Sequence, residues 1–247
     1  MIKNLAKKIA VTTVGTAALT LGLMQVTTTE AKAASISYNS NISLEETDWD
    51  KFLSVKKFNS NLGTLNSVSF TLGGSAEGSI GVENKNTTKT ANVNANLAST
   101  IQVNGTIGGT DTLLVEVIPS ELQKFTLAKF DGAIDFAGTS GKTVNLSTAK
   151  AEKTESYTDA DILNAFIGSG NLAYTINAIG SSTATGSGNL ATNFSNSAAA
   201  NLTITYNYTE GPGVAVPAPP TAIGTFLAMG FVGMKITKKG LFSQKKI

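Results

Sequence analysis

The chain has 247 residues, with 19 Lys and no Arg against 17 acidic side chains, and it contains neither His nor Cys. Without His or Cys there is no Ser-His-Asp or Cys-His catalysis, no disulfide and no Cys/His zinc site, and without Arg there is no bidentate fork for phosphate, carboxylate or guanine edges. Carboxylate, Lys or Ser chemistry, oxygen-ligated calcium, or no chemistry at all stays open.

Ser, Thr and Asn together supply 76 residues and Gly another 24. These residues favour turns and β surfaces over helix, and so polar-neutral a composition fits an exported β protein. A core of this size needs no disulfide staple. The Lys residues form no basic stripe, so nucleic acid is not an expected partner.

At the N-terminus Lys3, Lys7 and Lys8 precede an uncharged stretch from Ile9 to Val26, and Ala31-Lys32-Ala33 follows. Basic head, apolar run and small-x-small site together predict a secretory signal, cut by signal peptidase before Ala34. An amphipathic first helix of the folded domain fits less well, because the stretch has no charged face.

From Ala34 onward the apolar residues alternate. Ile36, Tyr38, Ile42 and Leu44 share one parity, with Ser and Asn between them. Glu45, Glu46, Asp48 and Asp50 then surround Trp49, the only tryptophan. Glu45, Asp48 and Asp50 are candidate oxygen ligands for calcium; a solvated acidic loop is the plainer reading, since neither an EF-hand glycine nor a calcium repeat is present. Trp49 suits a plug at the sandwich edge better than a sugar-stacking platform.

Further period-two sets are Val68, Phe70 and Leu72; Ile80 and Val82; and Ala91, Val93, Ala95 and Leu97. Pro119 followed by Ser120 to Phe125 reads as one helical turn. Asp131 and Asp135 fall on one face of a predicted strand, about 13 Å apart; that exceeds the carboxylate spacing of a glycosidase, so they read as solvated charge. Thr158, three residues before Asp161, predicts a short helix through Ile162, Leu163 and Phe166, stopped by Gly168. Gly-Ser-Gly-Asn-Leu-Ala occurs at 168–173 and again at 186–191, as two related hairpin turns. Leu172 to Ala178 and Leu202 to Tyr208 alternate again. Gly73-Gly74, Asn104-Gly105, Gly108-Gly109 and the Gly138 to Gly141 stretch are the predicted punctuation. The pattern predicts an all-β antiparallel sandwich with Greek-key or jelly-roll connections and one or two short helices.

At the C-terminus Val216-Pro217-Ala218-Pro219-Pro220 precedes a short apolar run, Ala222 to Met234, and five Lys close the chain. Thirteen helical residues reach about 20 Å, against a hydrocarbon core of about 30 Å; extension to Ile236, with Lys235 snorkelling, adds a little. A sorting tail held transiently in the membrane through residues 222–236 is the expectation, with a permanent anchor and a buried terminal strand as the alternatives. The tail resembles a PEP-CTERM sorting signal, with Ala218 where that motif carries Glu. The resemblance implies an exosortase-like partner acting at Val216, Pro217, Ala218 and Pro219.

Within the domain, Thr47-Asp48-Trp49-Asp50, Phe58-Asn59, Leu62-Gly63-Thr64-Leu65, Val68-Ser69-Phe70, Glu83-Asn84 and the closing Leu202 to Tyr208 resemble the choice-of-anchor E domain. Lys57-Phe58-Asn59 stands where that family has Pro-Phe-Asp. The family is one of exported bacterial proteins, many of them cyanobacterial, in which the shared domain precedes one of several C-terminal anchors. The resemblance implies location and domain type, and no active site.

The sequence thus divides into a signal peptide (1–33), a β-sandwich domain (34–210), a Pro/Gly linker with the sorting motif (211–220) and a short membrane helix with a basic tail (221–247). The expected function is structural or adhesive, at the cell surface or in the extracellular matrix, with no catalytic residues and no cofactor. The alternative is a carbohydrate-binding module, calcium-assisted, acting on extracellular polysaccharide. The division also resolves the net charge of +2: residues 1–33 carry +3, residues 217–247 carry +5, and the domain between them carries −6. The intact mass of the protein from its native host is expected to place the mature N-terminus at Ala34; retention of residues 1–33 would refute the signal-peptide assignment.

Overall fold

The computed structural model describes residues 32–211 and the backbone of Ala222–Ile223. The predicted signal peptide, the Val216–Pro219 motif and the remainder of the apolar tail lie outside the described residues. Period-two alternation becomes strand almost everywhere it was read. In chain order these are β1 (Ala33–Glu46), β2 (Trp49–Lys56), β3 (Gly63–Asn84), β4 (Ala91–Ile107), β5 (Thr110–Val117), β6 (Ser120–Leu127), β7 (Gly141–Tyr157), β8 (Asn171–Gly180), β9 (Thr183–Gly186), β10 (Leu190–Glu210) and β11 (Ala222–Ile223). One short helix, α1 (Ala160–Phe166), lies between β7 and β8.

The strands form two sheets, an all-β sandwich as expected. Sheet A has the order β11-β1-β10-β3-β7; sheet B runs β2-β8-β4-β5, with β6 and β9 also paired to β4. Apart from the two residues of β11 and the isolated parallel bridge Phe58↔Ile167, every described pairing is antiparallel.

Strand length sets the shape. β3 has 22 residues and β10 has 21, so each spans about 70 Å of sheet. β4, with 17 residues, is bordered along its length by two strands on each edge. Its first half pairs with β6 and β9, its second half with β5 and β8. The sandwich accordingly holds two apolar cores in line. The larger contains Phe58, Phe70, Phe166, Tyr174 and Tyr206, the smaller Ile80, Val82, Val93, Leu97 and Leu127.

Between the cores the sandwich has a polar waist. Pro119 cannot donate to a ladder, and it splits β5 from β6 where β4 turns from one partner to the other. On the opposite edge Ser181 and Ser182 separate β8 from β9. The carbonyl of Ala98, in β4 at this level, accepts from Ser181 N–H (2.9 Å) and Asn196 Nδ2 (3.0 Å). Ala98 N–H donates to Ser182 Oγ at 3.0 Å, and Asn196 Oδ1 accepts from the same hydroxyl at 2.8 Å. Ser99 N–H reaches the carbonyl of Pro119 at 3.2 Å. Gly74 and Gly78 allow the close approach: a Cβ on Gly74 would sit 2.7 Å from Ile101 Cδ1, and one on Gly78 would collide with the Ser195 carbonyl.

Four local expectations are corrected. Ser120 to Phe125 is not a helical turn but most of β6, because the register Val93↔Phe125 and Ala91↔Leu127 turns alternate side chains onto the smaller core. Gly73-Gly74 and Asn104-Gly105 lie inside β3 and β4 instead of at turns, while Gly108-Gly109 does make the β4–β5 hairpin with φ of +60° and +86°. The helix is capped by Asp159 and not Thr158: the Asp159 carboxylate accepts from Asp161 and Ile162 N–H. Neither Gly-Ser-Gly copy is a hairpin turn: the first joins α1 to β8, and the second carries the chain from β9, paired to β4, across to β10, paired to β1 and β3 in the other sheet.

Helix α1 closes one end of the larger core with Leu163 and Phe166. Phe58 locks into it through its N–H to the Phe166 carbonyl (2.8 Å) and its carbonyl to Gly168 N–H (3.0 Å). Truncating the waist amide, Asn196→Ala, removes both of its buried hydrogen bonds, one to the Ala98 carbonyl and one from the Ser182 hydroxyl. It is expected to lower the unfolding free energy by about 1–3 kcal/mol, against at most ~0.5 kcal/mol for the exposed Asn201→Ala, measured by urea denaturation. Equal midpoints for the two variants would refute the waist assignment.

Candidate functional site

The acidic cluster around Trp49 is divided by the fold. Glu45 closes a 2.7 Å ion pair with Lys51. Asp48 Oδ1 accepts from Gly180 N–H at 2.8 Å, tying the β1–β2 corner to the end of β8. Asp50 points outward from β2. Among the described residues no three acidic side chains converge as a metal site would require. Trp49 is 9% exposed and packs in the larger core, with Lys51 Nζ 6.0 Å from its ring centroid. Its ring is therefore not presented as a flat platform for a sugar.

Asp131 and Asp135 do not share a strand. They lie in the irregular segment 128–140, where each folds its own backbone: Asp131 Oδ1 accepts from Ala133 N–H (3.2 Å) and Asp135 Oδ1 from Ala137 N–H (3.0 Å). Such two-residue Asx turns compete with strand, and Gly132 and Phe136, both at positive φ, complete the break.

Beneath that segment lies a group that residue types alone did not single out as buried. Glu83, on the outward parity of β3, is fully enclosed because the segment folds back over it. Its Oε2 accepts from Phe136 N–H at 2.9 Å, and Oε1 has no partner. Asn84 beside it donates to the carbonyls of Lys89 (2.9 Å) and Ala128 (2.6 Å) and accepts from Asn86 N–H. The pair thus pins two loops to the end of one strand. Its adjacency in the Glu83-Asn84 motif was visible in the sequence; its enclosure was not.

The most extensive chemical surface is the outer face of sheet A. Register aligns four strands into rows of short polar side chains. Ser37, Thr205, Ser69 and Ser156 form one row, Asn39, Thr203, Thr71 and Thr154 the next, and Asn41, Asn201, Gly73 and Glu152 a third. Neighbours within rows bond to each other: Ser37 to Thr205 at 3.0 Å, Ser69 to Ser156 at 2.8 Å, Thr203 to Asn39 at 2.8 Å and Thr71 to Thr154 at 2.8 Å. The spacing is about 4.8 Å across strands and about 6.8 Å along them. Beside the third row is a groove of about 530 Å3, floored by Gly73 and Ala199 and rimmed by Asn41, Asn201, Lys150 and Glu152. The rows carry no aromatic side chain, so their chemistry is a flat grid of hydroxyl and amide donors and acceptors. No described helix is long and apolar enough to cross a membrane.

No family model matches the chain, and no curated protein matches it. Among solved structures, that of infectious bursal disease virus strain Gx is 9% identical over 74% of this chain and 38% of that one, with a TM-score of 0.18. A second, the T13 particle of the same virus, is 10% identical over 79% and 42%, with a TM-score of 0.16. The chain spans about four-tenths of the length of these structures, and likeness at such scores carries no functional argument.

The 128–140 segment has a defined pH response. The Ala133 N–H, and then the Ser140 hydroxyl, hold the Asp131 carboxyl below the usual carboxylate range. A group depressed on folding contributes fully above its unfolded value and loses that contribution as pH falls through its folded value. The Ala133 amide resonance is therefore expected to titrate with a midpoint below about 3.9, the ordinary Asp value. A midpoint at or above that value would remove the proposed hydrogen bonds.

Proposed function

We propose that the protein is an exported, non-enzymatic jelly-roll β-sandwich of the choice-of-anchor E type, working as a structural or adhesive element of the cell envelope or extracellular matrix. The observation that carries this reading is the outer face of sheet A: a broad grid of Ser, Thr and Asn hydroxyls and amides. Strand orders β1-β10-β3-β7 and β2-β8-β4-β5 support the jelly-roll description, with β5 and β6, and likewise β8 and β9, each counted as one interrupted strand.

A carbohydrate-binding reading is favoured by the groove at Asn41, Asn201, Lys150 and Glu152. Hydrogen bonding to a sugar chain would take place there, away from the buried Trp49.

Cosedimentation with insoluble polysaccharide from the native matrix tests both. The double variant Thr71→Glu/Thr203→Glu is expected to weaken association about tenfold, equivalent to ~1.4 kcal/mol, with its circular dichroism unchanged. Undiminished association would remove the outer face from the adhesive surface. Polysaccharide turnover abolished by one Asp or Glu substitution would overturn the non-enzymatic reading.

A further inference from the structure

The two edges of sheet A are chemically unlike. β7 carries Lys142, Lys150, Glu152, Lys153 and Glu155, and the Lys153–Glu155 pair closes at 2.7 Å. Charges along an edge discourage pairing with another strand. β1, at the other side, has neither a charged residue nor a Pro from Ala33 to Leu44. Its core-side Ile36 and Tyr38 are only partly buried, whereas Ile204 and Tyr206 opposite them in β10 are fully buried. Both the unpaired backbone and these half-covered side chains call for one more strand. Two residues of one are seated there: Ala222 and Ile223 pair in parallel with Tyr38 and Asn39.

We propose that β1 is a strand-accepting edge whose occupant is this chain's own C-terminal segment, entered at Ala222. The chain path allows it. β10 ends beside the start of β1, where Ala34 lies opposite Tyr208. From Ala33 to Tyr38 is about 17 Å of strand, and the ten residues 212–221 can bridge up to about 35 Å. A segment returning from that end travels in the direction of β1, which accounts for the parallel pairing. Main-chain hydrogen bonds supply the affinity in such strand addition, and the uncharged edge places no like or opposite charge against the incoming strand.

The absence of native Cys makes the test direct. In the full chain, Asn39→Cys with Ile223→Cys is expected to close an intramolecular disulfide on mild oxidation, read as a reduction-sensitive mobility shift of the monomer. Ser35→Cys with Ile223→Cys is the register control, with the two positions separated by about 13 Å along the strand, beyond disulfide reach. Cross-linking no greater than the control would overturn the proposal. A disulfide-linked dimer in its place would assign the edge to a second copy and equally overturn it. Hydrogen exchange supplies the second measurement: a chain ending at Gly211 is expected to lose amide protection around Tyr38 and Asn39, and unchanged protection there would count against the tail as occupant.

Discussion

The architecture depends on the Ala98 N–H and carbonyl and the amide and hydroxyl groups gathered on them. β3 and β10 run unbroken through both cores, but the strands flanking β4 are interrupted at Pro119 and at Ser181–Ser182. Each interruption removes ladder bonds from the middle of a buried strand, where an unpaired backbone group is costly. Asn196 and Ser182 replace those bonds from the side, and Ser99 N–H takes the Pro119 carbonyl. The two cores can therefore share continuous strands on one sheet and separately registered strands on the other.

The same logic governs the ends. Phe58, Asn59 and Gly63, part of the string that resembles the choice-of-anchor E domain, close the larger core. Phe58 is clamped to the end of α1, Asn59 caps the single 3-10 turn Ser60–Leu62, and Gly63 sits where any Cβ would strike the Thr209 carbonyl. Glu83 and Asn84 do the corresponding work beside the smaller core, holding the 85–90 and 128–140 loops. The residues of these motifs are thus largely architectural. The outer face of sheet A is regular, its polar side chains alternating with the core residues beneath.

Much of this was legible in advance because a strand that buries one face writes that fact into every second residue. Ile204 and Tyr206 against Thr203 and Thr205 need no distant information to be read as inside and outside. Ser120 to Phe125 misled because the helix-entry signal of Pro119 is local, whereas its pairing with Ala91 to Ala98 is not. Asp131 and Asp135 misled for the converse reason: they lie near predicted strand, but their carboxylates satisfy their own backbone and turn the chain away from a ladder.

By itself the sequence determined which chemistries were open, the alternating β character of the domain, and the distribution of charge that leaves an acidic domain between two basic ends. These follow from residue identity and from a period of two, both local properties. Only the tertiary structure decided that Glu83 is enclosed, that Asp48 is held by the Gly180 amide, and that β1 lies beside β10 at the side of its sheet. Each of those depends on register between segments tens to more than a hundred residues apart, where hydrogen-bond pairing and packing select neighbours that no local pattern specifies.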